Sequence, residues 1–70
     1  MTDQERRHFA QADRHIAQCK GHVARQQELI RQLAQRGQST LWAEDTLEAL
    51  QTSLRAFEAH RASFSVAETA

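Results

Sequence analysis

The chain has 70 residues, of which 40% are hydrophobic (much of that alanine) and only 6% aromatic, with no proline, two glycines and one cysteine. Nine basic residues balance nine acidic ones to a formal net charge of zero, so the basic excess of a nucleic-acid or anionic-membrane binder is missing. A chain this short encloses little surface by itself, which makes a staple, a metal or a partner expected, and a lone cysteine excludes an internal disulfide.

Thr2 followed by Glu5 fits a capping box, in which the threonine oxygen and the glutamate carboxylate satisfy free N–H groups at a helix start. A first helix is therefore predicted from about residue 3. Along it Phe9, Ala12, Ile16, Cys19, Val23, Gln26, Ile30 and Leu33 alternate steps of three and four, the pattern of a coiled-coil seam. Gly37 ends this helix at about residue 36, because glycine takes the left-handed conformation without a Cβ penalty. After a turn at 37–39, Ser39 or Thr40 can cap a second helix over about 40–66, with Glu44 and Asp45 suiting the positive end of its dipole. Its seam reads Thr40, Ala43, Leu47, Leu50, Leu54, Phe57, Arg61 and Phe64, and residues 67–70 are expected to fray.

A connection this short joins helices that lie side by side, so the expected fold is all-α, a single antiparallel two-helix hairpin over 1–70. Placing Leu33 against Thr40 sets the layers: Ile30 with Ala43, Gln26 with Leu47, Val23 with Leu50, Cys19 with Leu54, Ile16 with Phe57, Ala12 with Arg61 and Phe9 with Phe64. Gln26 and Arg61 bring polar atoms to positions where only their stems can be covered. Residues 1–37 carry seven basic and four acidic side chains and residues 38–70 two basic and five acidic, so a helix of charge +3 lies along one of −3.

The stretch RHIAQCKGHVARQQELIRQL, the turn GQST and then LWAEDTLEALQTSLRAFEAHR together resemble a group of very short alphaproteobacterial proteins of rhizobial type, helical hairpins without an established activity. In that group a small residue is usual where Cys19 stands, and a histidine often stands at the position of Phe57, three before His60. The resemblance implies the hairpin fold and a bacterial cytoplasmic home, and nothing about chemistry.

His8, His15 and His22 recur every seven residues, each just before a seam position, so they share one flank of the first helix. Residues seven apart are about 10.5 Å apart along a helix, too far for two imidazoles to share an ion. Cys19 lies four after His15 and three before His22, spacings that bring side chains together, and His60 flanks the same layers from the second helix. His15, Cys19 and His60 could thus offer zinc three ligands and an open fourth position. The plainer reading makes Cys19 a small buried hydrophobe and the histidines solvated edge residues. Such a flank also permits a pH effect, through repulsion between gathered imidazolium groups.

Two helices supply no enclosed pocket, oxyanion donors or third group to orient a cysteine–histidine pair, so no enzyme is expected. Arg25, Arg31 and Arg36 are interrupted by Glu28, the pattern of an ordinary solvated helix face and no nucleic-acid interface. Leu41 and Trp42 fall outside the seam, where an isolated hairpin leaves them in water; an exposed tryptophan is most simply an interface anchor, the alternative being that it folds over the turn onto Leu29 or Arg36. Ala10, Ala17 and Ala24 form one row of small residues, and Ala49, Ser53, Ala56 and Ser63 another. The expectation is a cofactor-free, non-catalytic interaction module that pairs with itself as an antiparallel four-helix bundle or with another helical protein, through residues such as Leu41, Trp42, Ala49 and Ala56. The alternative is a zinc-type bundle using His15, Cys19 and His60. With no signal peptide or membrane span in the sequence, the expected compartment is the cytoplasm.

Overall fold

The computed structural model describes residues 2–69, with side chains through residue 63. Helix α1 covers Asp3–Gln35 and α2 covers Leu41–Thr69, and the two pack side by side into a rod of 53 × 17 × 13 Å. Among the described residues, no helix is long and apolar enough to cross a membrane.

Local chemistry accounts for each boundary. At the start of α1 the Glu5 N–H donates to the Thr2 hydroxyl oxygen at 3.1 Å while the Thr2 N–H donates to the Glu5 carboxylate at 3.2 Å, a complete capping box. At its end the Gly37 N–H bonds the Ala34 carbonyl at 3.0 Å and the Gln38 N–H bonds the Leu33 carbonyl at 2.9 Å. This nested pair is a Schellman motif, which requires a left-handed residue between helix and turn, and Gly37 supplies it with φ +69°. Both candidate caps of α2 are used. The Thr40 carbonyl accepts the first helical bond from the Glu44 N–H at 2.8 Å, and the Ser39 hydroxyl oxygen accepts from the Leu41 N–H at 3.4 Å. Helix α1 ends one residue before the expected 36 and α2 begins one after the expected 40, while its helical backbone continues to Thr69, through 67–69 where fraying was expected. No glycine or proline interrupts that run.

Burial follows the three–four spacing. Cys19 and Ala43 are buried, and around them Phe9, Ala12, Ile16, Val23, Gln26, Ile30 and Leu33 of α1, Thr40 just before α2, and Leu47, Leu50, Leu54 and Arg61 of α2 are half-buried. Phe57 departs from the expected core: it is 37% exposed, because a pair of helices has no third element to close over a ring at the edge of the seam. The Phe64 side chain lies outside the described residues.

The polar contacts report the register. Asp13 holds Arg61 at 2.8 Å and His15 faces the Phe57 ring at 5.6 Å, each one position from the expected layers Ala12–Arg61 and Ile16–Phe57. The Cys19 thiol donates to the Leu50 carbonyl at 3.4 Å, and the Gln26 amide to the Ala43 carbonyl at 2.9 Å. In an α-helix those carbonyls also accept from the N–H groups of Leu54 and Leu47, so both donors sit at the layers of Leu54 and Leu47. Arg61, the other polar seam residue, lays its guanidinium 4.3 Å from the centre of the Phe9 ring besides pairing with Asp13.

The two glycines predict opposite results for one substitution. A Cβ at Gly21, in the middle of α1, would meet only the mobile end of Arg25 at 3.4 Å, so Gly21→Ala should stabilise the protein by about 1 kcal/mol. Gly37→Ala puts a Cβ on a left-handed residue and should destabilise by about 1 kcal/mol or more. Urea unfolding at one fixed protein concentration checks both signs.

Candidate functional site

The flank that carries the histidines is shaped by two shallow hollows. One is lined by His8, Gln11, Ala12, His15 and His60. The other is lined by His15, Gln18, Cys19, His22, Leu50, Ser53 and Phe57. His15 stands between them, its ring tilted 52° to that of Phe57. Cys19 is only 6% exposed, and its thiol donates to the Leu50 carbonyl across the seam while the residue borders the same hollow as His15 and His22. His22 meets the Arg25 guanidinium at 2.9 Å through Nδ1; since arginine only donates, Nδ1 accepts.

The ligand set His15, Cys19 and His60 is therefore not gathered. His15 borders both hollows, but Cys19 borders one and His60 the other, and among the described residues no three His, Cys, Asp or Glu side chains come together to hold a metal ion. The spacing of four between His15 and Cys19 places their Cβ atoms on neighbouring rows, but the sulfur belongs to the seam and the ring to its flank.

Leu41 is 72% exposed and Trp42 58% exposed. Consecutive helical residues point about 100° apart, and these two belong to different sides of α2. Trp42 falls in one row with Ala49, Ala56 and Ser63 and beside Thr46, Ser53 and His60. Leu41 falls in the row of Glu48 and Arg55. The hairpin thus has two unlike broad faces. The face of Trp42 continues across the seam to His8, Gln11, His15, Gln18, His22 and Leu29 of α1; its charged residues among those described are Arg25 and, one position past the end of α1 in the row of Leu29, Arg36. The opposite face carries Asp13, Lys20 and Arg31 from α1 with Glu44, Glu48, Arg55 and Glu58 from α2. Ala10, Ala17 and Ala24 lie on that charged side.

Two arginines of α1, Arg25 and Arg31, are engaged by neighbours on their own helix. Arg31 pairs with Glu28, and its hydrogen bond holds the Glu28 carboxyl below the usual carboxylate range while raising the arginine in turn. The Gln32 amide adds a bond to the same carboxylate at 3.3 Å. Gln26 went unrecognised as a hydrogen-bonding seam residue in the sequence pattern, although a lone amide in an apolar row is the signal that marks such a position. Comparison with protein-family models, with curated proteins and with solved structures finds no match for this chain.

The orientation of Cys19 gives a direct test. Cys19→Ala should cost on the order of 1 kcal/mol, the loss of a small buried side chain, and equimolar zinc should leave the melting temperature of the wild type unchanged. A zinc-dependent rise of several degrees that disappears in Cys19→Ala and in His60→Ala would instead establish a metal bound by the folded state.

Proposed function

We propose that this hairpin is a small non-catalytic association module that acts as a homodimer, two copies completing one four-helix bundle. The observation that carries this reading is how little two helices enclose. Among the described residues Cys19 and Ala43 are the buried hydrophobics, no large side chain is fully buried, and Leu41, Trp42 and Phe57 stand exposed. The accessible surface is 5285 Å² for 8.0 kDa, where a compact chain of that mass exposes roughly 4,450 Å². The excess, about 800 Å², matches what one partner covers in an interface of standard size. The radius of gyration, 16.2 Å, also exceeds the roughly 11 Å of a compact domain of this length. A second hairpin laid alongside would cover the open side of the seam residues that α1 and α2 leave half-exposed. The cytoplasm suits such a module, since its single thiol has no intramolecular partner for a disulfide.

Sedimentation at micromolar concentration should therefore give twice the 8.0 kDa chain mass, and the melting temperature should rise with protein concentration, as it must when folding and association are linked. Trp42→Ala should weaken the dimer by about 1–2 kcal/mol or more, as interface tryptophans do, with little loss of helicity at saturating concentration. A monomer that melts sharply at a concentration-independent temperature would overturn the reading.

A further inference from the structure

Resting on the self-association just proposed, we infer that the second copy docks on the tryptophan–histidine face, about a two-fold axis parallel to the helices, so that the two turns lie at the same end of the bundle. The choice of face follows from charge. A helical face that is covered by a partner cannot keep unpaired ions without a desolvation cost, and the rows beside His15 and His22 on α1 and Ala49 and Ala56 on α2 hold within the helices Arg25 alone, already bonded to His22, with Arg36 following at the exposed turn end. The opposite face, with Lys20, Glu44, Glu48 and Glu58, is suited to water. Most of the exposed apolar surface agrees: Trp42 and the hollow beside Phe57 lie on the uncharged face, while Leu41 alone of the exposed large hydrophobics lies in the charged row of Glu48 and Arg55.

The orientation follows from pairing unlike with unlike. A two-fold axis along the rod sets α1 of each copy against α2 of the other, whereas an axis across the rod sets α1 against α1 and α2 against α2. In the first arrangement the helix of charge +3 lies between two helices of charge −3; neighbouring helices are antiparallel in both arrangements, so charge and not the helix dipole separates them. Size agrees with charge. The long side chains of α1 on this face, such as Gln18 and His22, then stand over the short ones of α2, Ala49, Ser53 and Ala56, at the levels set by the hairpin's own register. Trp42 falls over Leu29 of the second copy, a residue that its own hairpin leaves half-exposed. The crosswise arrangement would put short side chains against short and long against long, and like-charged helices together.

One nitroxide at the turn measures the orientation. Gln38→Cys in a Cys19→Ala background, labelled and examined by pulsed electron resonance, should show a distance within about 25 Å, since adjacent helices lie about 8–10 Å apart. A dimer whose labels lie near the full 53 Å of the rod would overturn the inference and leave self-association standing; an absence of dimer in the same sample's sedimentation would overturn both. The face is tested separately. Ala49→Glu should weaken association at least tenfold with helicity retained at saturating concentration, while Ala17→Glu, on the charged side, should change it by less than threefold. The reverse ranking would place the partner on the other face. Should Ala49→Glu prove unfolded, Ala56→Glu serves as the second variant with the same outcomes.

Discussion

The controlling constraint is that two helices share one line of contact. A helix turns an apolar stripe about 100° wide toward its neighbour, and with a single neighbour the floor of that stripe is covered while its edges remain open. Among the described residues, the apolar side chains enclosed in this hairpin are accordingly two small ones on the seam, Cys19 and Ala43. Larger side chains such as Ile16, Leu47 and Leu54 lean outward from the contact line and stay half-buried. Small residues at the floor also let the helices approach. That approach brings the Cys19 thiol within 3.4 Å of the Leu50 carbonyl and the Gln26 amide within 2.9 Å of the Ala43 carbonyl.

These two contacts satisfy the polar groups of the seam without fixing its alignment. Apolar layers repeat every seven residues and tolerate a shift of one heptad, because leucine against leucine reads much the same after the slip. Gln26 and Cys19 are seven residues apart, as are the carbonyls they bind at Ala43 and Leu50, and since every helical residue carries a carbonyl, a slip of one heptad would find them new acceptors. Arg61 does discriminate, at the open end, because its guanidinium lies against two particular side chains, Asp13 and the Phe9 ring. At the closed end the Schellman turn at Gly37 brings the chain back at a fixed level. The exposed ion pair itself adds little stability, and its value lies in geometry.

What was legible in the sequence was what is local or periodic. The Thr2–Glu5 box, the left-handed Gly37 and the alternating seam from Phe9 to Leu33 and from Thr40 to Leu54 are each decided within one or two turns of chain, so the residues alone determine them. The less legible features depend on a third body or on which way one side chain turns. Phe57 has the spacing of a core residue, and whether it is covered depends on an element the hairpin does not contain. Spacing put His15, Cys19 and His60 at neighbouring positions without saying that the sulfur would prefer a backbone carbonyl in the seam. Leu41 and Trp42 looked alike as exposed apolar neighbours, yet the helical turn between them assigns one to a charged row and the other to an uncharged one.

That separation of rows limits what the histidines can be doing. If they were simply solvated edge groups, nothing would keep carboxylates and ammonium groups out of the rows beside them, and residues of both signs occur freely at the matching positions on the other flank, Asp13 and Lys20 of α1 facing Glu44 and Glu58 of α2. Imidazole, amide and hydroxyl groups occupy the uncharged side instead: His15, Gln18, His22, Thr46 and Ser53. Groups of this kind can be covered at modest cost when neutral and hydrogen-bonded, and they can also remain in water. The rows do hold one large aliphatic residue, Leu29, and the ion Arg25, whose guanidinium is bonded to His22. On the pairing proposed above, a surface of this composition around an exposed tryptophan could be wetted in a single hairpin and covered in a dimer, since large aliphatic patches would make a lone hairpin sticky and unpaired ions would oppose its covering.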